Sequence, residues 1–130
     1  MTRMSKIVIQ TPNAPAAVAT YSQAIIANGF VFVAGQVPLV PETKTLVEGD
    51  ISDQTRRVLE NISAILQAAG TSLANAVKMT VFLTDMNDFA GMNEVYATYF
   101  TENPPARSTI QVAGLPLAGA RVEIEAIAYL

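Results

Sequence analysis

From Arg121 to Ala128 the chain alternates with a period of two. Val122, Ile124, Ala126 and Ala128 are apolar, Arg121, Glu123 and Glu125 between them are charged, and Ile127 ends the charged series. Successive side chains of a strand point to opposite faces. The segment therefore reads as a strand with one face in a core and the other outside it, and a sheet of such strands needs a covering layer on one side only. Two segments supply that layer. Asp50 is a good N-cap, Asp53 favours the first turn, and Ile51, Val58, Leu59, Ile62, Ile65, Leu66 and Ala69 fall on one helical face, with Gly70 as the stop. A second helix starts at Asp88 as its cap and lines its inner face with Phe89, Met92, Tyr96, Tyr99 and Phe100, read as core; Asn103-Pro104 ends it.

The remaining strands are Lys6–Ile9, Ala24–Ala27 and Phe30–Ala34 around an Asn28-Gly29 turn, Val77–Leu83, and the run that begins at Arg107. Asn-Gly is the strongest short hairpin signal, because both central positions of a type I′ turn need positive φ. Gly35 to Pro38 leaves the sheet, Val40 to Gly49 reads as a loop, and Asp85 to Asp88 reads as a turn. Two helices cannot cover both faces of about six strands. The expected architecture is an α+β two-layer sandwich: a mixed sheet of about six strands with two helices on one face, in a single domain over 1–130. Hydrophobic residues make up 51% of the 130 residues and charged residues 15%. That balance points to self-association across the uncovered sheet face.

Composition excludes whole classes of chemistry. The chain has no cysteine and no histidine, so it offers no disulfide, no thiolate nucleophile and no imidazole acid, base or metal ligand. No metal-binding spacing of carboxylates is evident. No apolar run approaches the ~20 residues of a membrane span, and no signal-peptide core follows the first residues, so a cytoplasmic location is expected. The net charge is −3, with eight scattered basic residues. Nucleic-acid binding needs a basic stripe; the adjacent pair Arg56-Arg57 reads as a solvated helix face.

The stretch Pro104-Pro105-Ala106-Arg107-Ser108-Thr109-Ile110-Gln111-Val112 carries the most chemistry. Two prolines turn the chain extended, and an arginine stands at the mouth of the strand. If this strand pairs with the one from Val122, Arg107 and a carboxylate look into one space. Arg107, Thr109 and Gln111 on one strand, and Glu123, Glu125 and Ile127 on the other, are expected on the face away from the helices. An arginine fork beside a carboxylate suits a small ligand that itself carries a carboxylate. On the residues alone, Arg107 pairing with Glu123 or Glu125 across strands is the favoured reading, since structural ion pairs are commoner than sites.

Pro105-Ala106-Arg107-Ser108, with Ile110, Ala113, Leu115 and then Val122-Glu123-Ile124, resembles the signature of the RidA (YjgF) family of reactive imine deaminases. Asn13 to Ala17 before Tyr21, Val33 to Pro38, and Asn87-Asp88-Phe89 through Asn93 and Tyr96 fall in the family's order. The resemblance implies a chorismate-mutase-like fold and a homotrimer with a cleft at each subunit boundary. It implies hydrolysis of 2-imino acids or their enamines, such as 2-aminoacrylate and 2-iminobutanoate, to 2-oxo acids and ammonia, without metal or organic cofactor. By position, Arg107 matches the arginine that holds the substrate carboxylate and Glu123 the glutamate associated with the attacking water. Tyr21, Gly35, Asn93 and Thr109 match pocket positions. Ala34 stands where many deaminases have serine, and Thr109 where many have cysteine. Structural roles stand beside these: an interface acceptor for Glu123, loop packing for Tyr21, local hydrogen bonding for Asn93 and backbone geometry for Gly35. Two other functions fit the resemblance, a regulatory trimer that binds a small carboxylic acid, and an RNA-cleaving translation inhibitor or chaperone-like protein.

Overall fold

The computed structural model describes residues 5–130. Its strands are β1 (Ile7–Ile9), β2 (Ala24–Ala27), β3 (Phe30–Gln36), β4 (Leu39–Val40), β5 (Thr45–Leu46), β6 (Ala76–Leu83), β7 (Ala106–Gln111) and β8 (Val122–Tyr129); its helices are α1 (Ile51–Ala68) and α2 (Phe89–Tyr99). Six strands form one sheet in the order β1-β2-β3-β8-β6-β7, mixed because β6 and β7 are parallel while the other neighbours are antiparallel. Among the described residues no helix is long and apolar enough to cross a membrane.

The alternation of β8 places it at the centre. Val122, Ile124, Ala126 and Ala128 are buried, together with Val31 and Val33 of β3, Met79, Val81 and Leu83 of β6, and Val58, Leu59, Ile62, Ile65 and Leu66 of α1. Each of the Val, Leu, Ile and Met side chains among them stabilises the fold by roughly 1.5–3 kcal/mol on burial. Both helices cover this one face. The opposite face is left open and carries Phe30, Phe32, Ile110 and Tyr129, each more than 40% exposed.

α1 begins as its sequence predicts. The Asp50 carboxylate accepts from the Asp53 amide, and the Asp53 carboxylate accepts from the Asp50 amide. Gly70, at φ +91°, follows its end. Asp88 behaves otherwise: it precedes α2 but its side chain caps no amide. Arg121 takes that carboxylate instead, through Nε at 3.0 Å and Nη2 at 2.5 Å. A fork of two charge-assisted bonds outcompetes one cap bond.

Three further differences have local causes. The stretch read as a loop folds into the β4–β5 hairpin, whose two-residue strands are too short for alternation to register. β3 continues through Gly35 to Gln36, because one extra residue is accommodated as a bulge between Val33, paired with Ala126, and Gln36, paired with Ile124. Finally, β7 and β8 are not neighbours: β6 lies between them. Met79 pairs with Arg107, Val81 with Thr109, and Phe82 with Glu123. Met79 and Phe82 are three residues apart and so face opposite sides. Arg107 and Thr109 therefore lie on the helix side of the sheet, not on the open face expected from their sequence. Glu123, Glu125 and Ile127 do occupy the open face.

Candidate functional site

The helix-side group is built where β7, the sheet edge, meets α2. Arg107 is half-buried there. Its Nη1 donates to Asn93 Oδ1 at 2.7 Å, and its guanidinium carbon lies 4.7 Å from the ring centroid of Tyr96 and 5.4 Å from that of Phe89. Both distances fall within cation–π range. Nε and Nη2 of Arg107 donate to no group among the described residues, and no carboxylate pairs with it. The pairing of Arg107 with Glu123 or Glu125 is thereby excluded within one chain. Asn93 caps nothing; its side chain engages the arginine. An open depression of about 400 Å³ lies over this group, walled by Asn93, Tyr96, Phe100, Pro104 and Pro105 with Arg107. Thr109 follows on the same face of β7.

The second group lies on the other side. Gly35 sits in the β3 bulge, and the Glu123 carboxylate occupies the space a side chain there would need: a Cβ on Gly35 would stand 2.2 Å from Glu123 Oε2. Here glycine is required for close approach, not for an unusual φ. Gly35 and Tyr21 share a cavity of about 200 Å³ with apolar walls that include Val18, Val37, Leu39, Pro116 and Leu117. Tyr21 is half exposed. The segment before it is pinned by buried Gln23, whose amide donates to the carbonyls of Thr11 and Pro15 and accepts from the Thr11 amide. The loop from Ala113 to Ala120 is tied down by Gln54, which donates to the Gly119 carbonyl and accepts from the Arg121 amide.

Electrostatics differ between the groups. Burial, and then the neighbouring charge of Glu125, hold the Glu123 carboxyl above its ordinary pKa of 4.5. This favours proton exchange nearer neutral pH than a solvated glutamate allows. Burial pushes the Tyr96 phenol up to about 12, the Arg107 charge acting against it. Its hydroxyl has no hydrogen-bond partner among the described residues. Among the described residues no three His, Cys, Asp or Glu side chains converge as metal ligands.

The six candidate residues thus form two sets. Arg107, Asn93 and Thr109 lie on the helix side at one edge; Tyr21, Gly35 and Glu123 lie across the sheet. One chain does not bring the arginine and the glutamate together. Phe89 and Tyr96 belong with Arg107 as well as with the core, which the aromatic pattern of α2 alone did not separate. The signal was present in the spacing of Phe89, Asn93 and Tyr96 at i, i+4 and i+7, one stripe of a helix.

Residues 11–130 match the family model described as Endoribonuclease L-PSP. A RutC family protein of Pyrococcus horikoshii is 60% identical over 124 residues, covering 95% of this chain and 98% of that protein. The 2-iminobutanoate/2-iminopropanoate deaminase of Rattus norvegicus is 46% identical over 128 residues, covering 98% and 93%. The crystal structure of E. coli TdcF with bound serine superposes with a TM-score of 0.90 at 45% identity, covering 95% of this chain and 98% of that one.

Proposed function

The chain belongs to the endoribonuclease L-PSP family, that of the RidA (YjgF) proteins, and from that premise we propose that it hydrolyses reactive 2-imino acids and their enamines to 2-oxo acids and ammonia in a homotrimer. The observation that carries the proposal is the division of the candidate residues over two faces. Arg107 offers an unengaged N–H edge on one face, and Glu123 offers a carboxyl of raised pKa on the other. Neither half suffices for a 2-imino acid. A cyclic assembly in which each copy sets its β7 edge against the next copy's Tyr21–Gly35–Glu123 group completes the site three times. The exposed Phe30, Phe32 and Ile110 of the open face give such an assembly its apolar contact.

The chemistry asked of the site is modest. A protonated imine is electrophilic at C2. Arg107 holds the carboxylate bidentately, which fixes C2. Glu123 takes a proton from water as its oxygen bonds to C2, giving a carbinolamine. It returns that proton to the nitrogen as the C–N bond breaks, and its freed carboxylate takes the carbinolamine hydroxyl proton as the C=O bond forms; ammonia leaves, the 2-oxo acid remains, and the proton the imine brought passes to the ammonia as ammonium. The apolar cavity beside Gly35 receives the substrate side chain. Preferred substrates are short aliphatic imines such as 2-iminobutanoate and 2-iminopropanoate, and no metal or organic cofactor takes part. The serine-bound TdcF structure supports a small amino-acid-like ligand for this fold.

A threonine dehydratase or an amino-acid oxidase, coupled to the protein, generates the imine in place. Faster release of 2-oxo acid and ammonia than in the protein-free reaction is expected; an unchanged rate with intact oligomer refutes the proposal. RNA cleavage, which the family model's description names, has little support here. Arg56 sits against Asp53 at 3.4 Å and Arg57 against Asn61, so the one adjacent basic pair does not form a phosphate track.

A further inference from the structure

We infer that Phe89, Asn93 and Tyr96 form a cradle on α2 that holds the Arg107 guanidinium in one orientation before any ligand arrives, with its Nε–Nη2 edge left free. The inference takes from the proposed function only that Arg107 receives a carboxylate. It makes Phe89 and Tyr96 positioning residues, acting through the arginine and not on the substrate.

Three observations support it. An arginine at a sheet edge has four rotatable bonds and should wander, yet this one is fixed on three sides. Asn93 takes Nη1 at 2.7 Å, and two rings lie 4.7 and 5.4 Å from its carbon. All three side chains come from one stripe of α2, so a single rigid element sets their mutual geometry. Asn93 occupies Nη1, which leaves the side-on pair Nε and Nη2 as the edge for a bidentate carboxylate. The third observation separates the ring of Tyr96 from its hydroxyl. The hydroxyl is buried without a partner among the described residues, whereas the ring is backed by Phe100 at 4.7 Å between centroids and faces the arginine. What Tyr96 presents to the arginine is therefore its π face and not its hydroxyl.

Two measurements test this. Relaxation of the Arg107 Nε–Hε group by NMR, in the protein without ligand, should give an order parameter above about 0.6. It should fall in Tyr96→Leu and in Phe89→Leu, and recover in Tyr96→Phe. Calorimetry with 2-oxobutanoate should show Kd raised by about 3- to 30-fold in Tyr96→Leu, the range expected for a lost cation–π contact. The increase should be smaller in Phe89→Leu, whose ring is farther away, and Tyr96→Phe should return Kd to within twofold of wild type. In imine hydrolysis the same factor should appear in KM, with kcat held. Light scattering confirms the assembly in each variant. If Tyr96→Leu does not fold, half-buried Phe89 carries the test. A mobile Arg107 in the free wild-type protein overturns the cradle, as does wild-type Kd in both leucine variants. If the wild type binds no 2-oxobutanoate while Arg107 is rigid and the leucine variants loosen it, the cradle stands and the carboxylate reading falls.

Discussion

Gly35→Ala is the sharpest probe of how the open-face half of the site works. The added methyl would stand 2.2 Å from Glu123 Oε2 and 3.0 Å from its carboxyl carbon, where ordinary contact begins near 3.4 Å. The bulge that holds Gly35 is fixed by pairing on both sides, Val33 with Ala126 and Gln36 with Ile124, so the backbone yields less readily than the glutamate. The carboxylate must then retreat by about 1.2 Å. Because the far end of a flexible side chain moves, the stability cost should stay near the low end of overpacking, about 1 kcal/mol. The catalytic cost should be larger, since a misplacement of ~1 Å costs on the order of 10²-fold. The assay is kcat for coupled imine hydrolysis, with thermal unfolding and 2-oxobutanoate Kd measured alongside. A double-mutant cycle with Glu123→Gln separates cause from coincidence. If Gly35 acts through Glu123, the double variant is no slower than Glu123→Gln alone. Full additivity of the two losses, or wild-type kcat in Gly35→Ala, would refute the reasoning.

Arg107→Lys should raise Kd for 2-oxobutanoate at least tenfold, because an ammonium cannot reproduce a fork, and Arg107→Ala should abolish measurable binding by calorimetry. Folding raises the proton affinity of Glu123, so its contribution to stability is present below the ordinary value of 4.5 and is lost as pH rises through the raised value. Chemical denaturation should therefore show Glu123→Gln gaining stability relative to wild type as pH climbs from about 4 toward neutrality; hydrolysis, which needs the carboxylate, should fall as pH drops through the same interval, and an acid limb at or below 4.5 would contradict this. Light scattering should give three chain masses of 13.8 kDa each; a monomer at micromolar concentration that still hydrolyses imines would exclude a shared site. Asp88→Ser, which keeps a capping side chain but breaks the fork to Arg121, should lose about 1 kcal/mol in urea unfolding, and no loss would restore the capping role.

The layers of the fold were legible because they rest on periodicity. The alternation of β8 and the apolar face of α1 each state which side is buried, and two helices against six strands state how many layers there are. Asp50 was legible as a cap because its partner, Asp53, is three residues away. Asp88 was not, because its partner, Arg121, is thirty-three residues on in the chain, and nothing local records the competition. The face of Arg107 was illegible for the same kind of reason. Parity within β7 fixes that Arg107 and Thr109 share a side, but which side depends on the strand β7 pairs with. Paired to β8, Arg107 would have stood beside Glu123; with β6 inserted between them, the register carries it to the other face.

The proposed function gives that inserted strand a consequence. With Arg107 beside Glu123 in one chain, the two charges would pair, the glutamate would be held ionised, and the arginine fork would be occupied before any substrate came. Among the described residues, placing β6 between them keeps the Nε–Nη2 edge of Arg107 unengaged and leaves Glu123 to burial first and then to the charge of Glu125, both of which raise its pKa instead of lowering it. Both groups are therefore poised by what they lack within their own chain. Assembly would bring them across a cleft, with room for a carboxylate against one and a water against the other, and not into contact. A site of this kind should be lost on dissociation even though every chain remains folded, because its two halves belong to surfaces that a single sheet holds apart.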